Sequence, residues 1–503
     1  MIKQILKSGI AVMLILMATG SLNSQVTVSK ANSHYLFYEN KPLILITSDH
    51  HYGAIIDLDF DYIKYLDYLA DNGMNLTRIY PGGMFEPSDK YLPGNPLGPR
   101  PGRQLLPWLK SGQPGASKML AEPGKPSFKY DLDKWNPDYF TRLKAFVKLA
   151  HDKNIIVEIP FFNGMYADCW PLMAMYHVNN IQNAGQYEAK DCGLFTTTDK
   201  LNMDVIKYQK EYIKKIVTEL NDFDNLIYDI CDEPSLQGLP DGNIIVRPDS
   251  LITPWINVMK DAFVKAEGPL PKKHILGQTV QNLSPDLSGE QWCMWLPTEY
   301  VSPAERALKL DYSRNKPIID VETNYFGMSL TKSAYSAEAV RLEGWWFILG
   351  GGAGLINLNG EFYRGNESGG KITRTQIVPQ KKILNDFVNN LDLNGLSRFN
   401  AFGVSGTGVL SSGLAENGKQ YAIYLFHAAP DKEWGSNFIP DPANYCDTLT
   451  INNVPASSYI VEWTDPASGS IKSSEMLKWK GGELKLITPV YSLDIALRII
   501  KKN

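Results

Sequence analysis

The sequence predicts an α/β chain: a (β/α)8 TIM barrel followed by a small antiparallel β-sandwich. Three observations predict it. Apolar, β-branched runs alternate with helix-periodic segments between about residues 43 and 375. Eight such runs can be placed, the number that closes a parallel barrel. From about residue 398 the pattern changes to short alternating segments divided by turn signals.

Residues 35–47 read as two short strands around Asn40-Lys41, a hairpin turn. The parallel strands are expected at 43–47, 75–80, 154–161, 225–231, 274–279, 317–322 and 353–358, with a weaker one near 293–300. Helices are expected at 59–72, 137–152, 201–220, 254–266, 303–313 and 335–350. Asp59 and Ser336 have the side chains of N-caps. A doubly wound open sheet is the alternative, but Thr47-Ser48-Asp49-His50-His51-Tyr52-Gly53 after the first strand is no phosphate-binding fingerprint. Residues 81–134 and 162–200 read as long loops after strands two and three, on the face where a barrel carries its site. The run 379–391 is a helix leading into the sandwich, whose strands are expected at 401–410, 420–427, 446–451, 457–464, 483–488 and 491–500.

The N-terminus is read as a targeting segment. Lys3 and Lys7 precede the apolar stretch 9–18, followed by small residues. That stretch is too short to span a bilayer, which takes roughly 20 apolar residues. The expected division is 1–24 signal peptide, 25–395 barrel and 396–503 sandwich, in an exported protein with no membrane span after cleavage. An exported chain meets oxidising conditions. Of the five cysteines, Cys169 and Cys192 are the best disulfide pair, and Cys231, in an apolar strand, reads as a buried small residue.

Charge narrows the function. Fifty basic and 54 acidic side chains give a net −4, without the basic excess of a general nucleic-acid binder. Aromatic side chains make up 11%, which leans toward sugar faces.

The chemistry concentrates at two strand ends. Asp232-Glu233-Pro234 follows the strand NLIYDIC, and Glu322 ends the strand PIIDVE. Glu is disfavoured in strands, so two at the tips of apolar strands four and seven point to function. Two carboxylates on one barrel mouth suit glycosidic cleavage. One donates a proton to the leaving oxygen and the other attacks the anomeric carbon. Carboxyl separations of about 5–5.5 Å go with retention and about 6.5–9.5 Å with inversion.

These motifs resemble glycoside hydrolase clan A, and among its members the cellulase-like and apiosidase-like secreted hydrolases with a C-terminal sandwich. The resemblance spans about residues 35–395 and includes Arg341, Trp345-Trp346 and the glycine run 350–354. It implies Glu233 as acid/base, Glu322 as nucleophile, and Arg78 as the arginine that supports the nucleophile. It places His50, His51, Asn163, Asp232, Tyr300 and Tyr325 on the substrate, with a carbohydrate as partner and no cofactor. Two departures stand out. Position 232 is Asp where the clan usually has Asn, which adds charge beside Glu233 and raises its pKa. Strand eight ends in Asn357 and Asn359 in place of the usual Trp.

Asp49-His50-His51 suggests a metal, but consecutive strand residues point to opposite faces. The expectation is no metal. Trp108, Trp170, Trp292 and Trp295, with His177 and Asn179, are candidates to line a cleft. The rival reading is a glycan-binding protein on a degenerate barrel. The sequence is silent on the sugar, the linkage, endo or exo action and oligomeric state.

Overall fold

The structure, a computed structural model, describes residues 25–90, 93–279, 287–291, 312–326, 336–369, 377–430 and 438–502. Its centre is a sheet whose strands lie side by side in chain order. They are β1 (Leu45–Asp49), β2 (Leu76–Arg78), β3 (Ile156–Met165), β4 (Leu226–Gly238), β5 (Ile275–Thr279), β6 (Leu287–Gln291), β7 (Ile318–Phe326) and β8 (Gly354–Asn359). All neighbours pair in parallel, and β8 returns to β1. One end of β4 is paired antiparallel by Ile244–Val246.

The sequence reading places the start of seven of these strands within two residues. The sixth differs. The described β6 is Leu287–Gln291 (LSGEQ), too polar to stand out as a strand, and the expected strand at 293–300 and helix at 303–313 lie outside the described residues. The seam between β1 and β2 is spanned by polar groups. Asn75 N donates to Ile46 O (3.3 Å), Asn75 Oδ1 accepts from Ile46 N (2.8 Å), and Asn75 Nδ2 donates to Ile44 O (2.9 Å).

Inward side chains from both sides of that seam share one apolar layer. Leu45, Leu76, Ile156, Ile227, Ile275, Ile319, Val321 and Ile356 cluster with Val26, Leu36, Tyr38 and Leu43 of the N-terminal hairpin, which covers the layer from below. The hairpin turn is Glu39-Asn40, both at positive φ, with Lys41 already in the second strand. The helices are α1 (Tyr62–Asp71), α2 (Pro137–Asp152), α3 (Met203–Leu220), α4 (Asp249–Glu267), α5 (Ala337–Leu349) and α6 (Ile377–Val388). Ser336 caps α5 as expected, accepting from Ala339 N (3.2 Å). The α1 cap is Asp61 and not Asp59, because the Asp61 carboxylate reaches Lys64 N while Asp59 pairs with Arg100 and Arg103.

From Ser397 the chain forms antiparallel sheets, one led by Gln420–Pro430, Ser457–Thr464 and Asp494–Lys501 and the other by Phe402–Ser405, Thr448–Val454 and Gly482–Ile487. Their inner faces pack Ile423, Leu425, Val461 and Leu497 against Leu449, Ile451 and Leu484. The outer face of the larger sheet joins α5 and α6 in a second cluster containing Trp345, Phe387, Tyr424 and Phe426. Arg341 crosses this interface to the Asp494 carboxylate (2.8 and 3.0 Å), which also accepts from Tyr424 Oη (2.8 Å).

The two long loops are more ordered than their sequence suggests. Residues 81–134 include an antiparallel hairpin, Trp108–Pro114 with Phe128–Trp135. Trp108 and Trp170 are core residues, not cleft walls: Trp108 packs beside Tyr212, and Trp170 stacks on Tyr187 at 4.5 Å. Trp292 and Trp295 lie outside the described residues. The candidate disulfide between Cys169 and Cys192 is absent. Cys169 and Cys192 are both free, as are Cys231 and Cys446. Cys192 Sγ faces the carbonyls of Met165 and Gly238, whereas Cys169 Sγ lies by Asp168. Cys231 is buried, as its strand setting implies.

Candidate active site

β2, β3 and β4 bring a charged layer next to the apolar one. Alternation along each strand accounts for it. Leu76, Ile156 and Ile227 lie in the apolar layer on one face of the sheet, so Arg78, Glu158 and Asp229, two residues later, share that face. The Arg78 guanidinium meets Glu158 at 3.3 Å, Asp229 at 3.5 Å and Asp232 at 2.9 Å. It also lies over the Tyr52 and Tyr80 rings, 5.1 and 5.8 Å from their centroids. Burial, then the charges of Asp229 and Asp232, push Glu158 up to about 7 against the pull of Arg78.

Asp232 is fully buried and pairs in register with Asn163 across β3 and β4. Its Oδ2 accepts from Arg78 Nη1, from the Tyr80 hydroxyl and, at 3.4 Å, from Asn163 Nδ2. Asn163 Nδ2 also donates to Tyr80 Oη (2.8 Å). Asp232 Oδ1 and Asn163 Oδ1 have no hydrogen-bond partner among the described residues.

Glu233 follows, half-buried, with a left-handed φ of 45°. The β3–β4 register shifts at this point, which accommodates the backbone turn. The Tyr166 hydroxyl donates to Glu233 Oε2 (2.5 Å). Loss of water, then the Asp232 charge, pushes the Glu233 carboxyl up to about 8, against the opposing effects of Tyr166 and Arg78. The raised pKa read from the Asp at 232 is thus present, with burial as the larger cause.

Glu322 lies on β7, partly exposed, in register with Gln291 of β6. Burial and then the Glu322 charge hold the Tyr52 hydroxyl well above its ordinary pKa. Tyr80 is raised by burial and then Asp232, with Glu322 contributing. Tyr52 Oη also donates to Val321 O (3.3 Å). The two tyrosine rings meet at 4.8 Å, with the Tyr80 hydroxyl on Asp232 and the Tyr52 hydroxyl on the backbone of the residue before Glu322. Arg78, expected beside the nucleophile, makes its ion pairs with Glu158, Asp229 and Asp232.

The histidines divide. His50 is wholly buried, with Nδ1 on Asp49 (2.7 Å) and Nε2 accepting from Ala54 N (3.0 Å), so both ring nitrogens are used within the fold. That corrects its expected place on the substrate. Asp49 itself ties β1 to β2, accepting from Tyr65, Thr77 and the Arg78 backbone. His51 is half-buried, 3.6 Å from Glu86, whose other oxygen accepts from Asn95 (2.7 Å). Among the described residues no group of three or more His, Cys, Asp and Glu is arranged to hold a metal ion. Tyr300 lies outside the described residues, and Tyr325 lies on β7 with its side chain outside them. Asn179 bonds the carbonyls of Pro171 and Met173 and serves its own loop, while His177 lies 3.8 Å from Glu188 at the surface. At the end of β8, Asn359 donates to Ser48 Oγ (3.0 Å).

Sequence reasoning missed Tyr52, Tyr80, Glu86 and Tyr166. Only Tyr80 carried a usable signal, lying two residues beyond Arg78 and so on the same face of the chain.

No family model matches the chain, and no curated protein matches it. Solved structures do. One described as a glycoside hydrolase aligns over 95% of this chain and 97% of its own, with a TM-score of 0.57 and 12% identity. A glycoside hydrolase family 5 structure from Bacteroides vulgatus aligns over 95% and 94%, with a TM-score of 0.57 and 13% identity. The resemblance to clan A read from the motifs is matched in three dimensions, and the fold of this chain is the fold of these glycoside hydrolases.

Proposed function

We propose that this chain is a retaining glycoside hydrolase in which Glu233 is the acid/base and Glu322 the nucleophile. The observation that carries the reading is the placement of one glutamate on β4 and one on β7, with the Glu233 carboxyl pushed up to about 8 by burial and the Asp232 charge. The eight strands, in order, close into a barrel across the Asn75–Ile46 seam. Glu322 attacks the anomeric carbon, and Glu233 protonates the departing oxygen. A water then attacks the glycosyl-enzyme and gives its proton to Glu233. Asn163, Asp232 and His51 face the sugar hydroxyls, and Tyr325 adds to the site from β7. Export through residues 1–24, and a division into 25–395 and 396–503, complete the proposal.

The experiment is a polysaccharide and oligosaccharide panel with wild type, Glu233→Gln and Glu322→Gln. Losing the acid/base lowers turnover on unactivated substrates by about 10²–10⁴-fold, and losing the nucleophile lowers it at least as far. Product followed by NMR appears first as the retained anomer. Full activity in either variant, or inversion, overturns the assignment. A glycan-binding protein would bind without product.

A further inference from the structure

We infer that Tyr166 is a positioning residue for Glu233, and that Lys90 ties it to the long loop after β2. The inference rests on the reading of Glu233 as acid/base.

Tyr166 is the first residue after β3, and its hydroxyl donates to Glu233 Oε2 at 2.5 Å. The surroundings fix the ring. A Cβ on Gly238, at the end of β4, would lie 2.6 Å from Tyr166 Cδ1 and 3.0 Å from its Cα, so only glycine fits beneath it. A Cβ on Gly164 would lie 2.2 Å from Glu233 O, which brings the two strand ends into direct backbone contact. The Tyr166 carbonyl accepts from Cys169 N (3.0 Å) and Trp170 N (2.9 Å), anchoring the following turn. On the ring lies Lys90, its ammonium 5.4 Å from the centroid, held by Asp168 at 2.7 Å. Lys90 belongs to the loop after β2 and Asp168 to the loop after β3, so this pair joins the two insertions above Glu233.

The chemistry follows from which oxygen is taken. With Tyr166 donating to Oε2, the transferable proton sits on Oε1. When Oε1–H gives that proton to the leaving oxygen, the Tyr166 hydroxyl keeps its own and stabilises the new carboxylate. A cation over the ring strengthens the phenol as a donor. Other charged or titratable groups facing Glu233 include Asp232 and Cys231 on β4, Arg78 on β2 and Glu86 in the loop after β2. Tyr166 and Arg78 oppose the burial and the negative charges.

The test needs no known substrate. Protein labelled with a carbon isotope at the glutamate carboxyls is titrated by NMR, and the Glu233 signal is identified by its loss in Glu233→Gln. Tyr166→Phe is expected to raise the Glu233 midpoint by about one pH unit, the worth of one hydrogen bond to a charged group. Lys90→Met is expected to move it the same way by less, and it retains the core should Tyr166→Phe fold poorly. On any substrate the panel yields, the alkaline limb of kcat/KM moves up with the midpoint. A midpoint that stays or falls in folded Tyr166→Phe overturns the positioning role, and one that stays in Lys90→Met overturns the tie to the loop. Full activity in Glu233→Gln would instead overturn the acid/base reading, so the two failures are distinct.

Discussion

Replacing Asp232 with Asn, the residue usual in the clan, should make Glu233 a stronger acid. Asn keeps an oxygen for Arg78, Tyr80 and Asn163 but removes the charge that, after burial, does most to raise Glu233. Two carboxylates on neighbouring residues, roughly 6 Å apart at an effective permittivity of about 20, repel by about 3 kcal/mol, an upper bound of about two pKa units. Burial remains, so the Glu233 pKa should fall from about 8 by one to two units. A general acid works protonated. The alkaline limb of kcat/KM therefore moves to lower pH by the same amount, while kcat near pH 5 stays within a few-fold. The assay is a pH–rate profile on the best substrate of the panel, paired with the carboxyl titration. A limb that stays at the wild-type position, or moves up, in a folded Asp232→Asn protein refutes the electrostatic account.

Three further outcomes follow from buried groups. Glu158, raised from 4.5 to about 7, binds its proton more tightly folded than unfolded. Its contribution is complete below about pH 4.5 and is lost as pH rises through about 7, so Glu158→Gln should remove up to about 3 kcal/mol of that pH dependence in urea unfolding. Arg341→Met leaves Asp494 buried without its cation and should lower stability by about 3–5 kcal/mol, seen as an earlier urea midpoint or a separate unfolding step of the C-terminal sheets. Among the four described cysteines, only the exposed Cys446 should react with a thiol reagent in the native protein.

The parts of the fold legible in sequence are those where one physical signal dominates. Apolar β-branched runs such as 225–231 can only be buried strands, and a Glu closing such a run needs an explanation, which is why Glu233 and Glu322 were visible. β6 was not, because LSGEQ takes its place from its neighbours and not from its own apolar content. Tyr166 and Glu86 were hidden for another reason. Both lie in loops with no period, and a tyrosine there serves packing as readily as hydrogen bonding. Whether Cys169 and Cys192 pair is not legible because nearness in the chain says nothing of direction: Cys192 points at the β3 and β4 carbonyls. His50 failed similarly, since its residue type suits a ligand but Asp49 and Ala54 N take both nitrogens.

The Asp at 232 is the departure from the clan that most needs a physical account. A buried carboxylate survives only with donors around it. Here Arg78, Tyr80 and Asn163 all reach Oδ2, and Glu158, the neighbour with a pKa pushed up to about 7, can carry a proton and so reduce the net charge around the arginine. The opposite oxygen, Oδ1, is buried and has no partner among the described residues. Where an Asn amide could both donate and accept, this oxygen as a carboxylate only accepts. A sugar hydroxyl placed there must donate, and its bond to a charged acceptor is stronger than to an amide. Asp232→Asn should therefore weaken KM for the preferred substrate as well as shift the pH limb, whereas a charge confined to tuning Glu233 would leave KM alone.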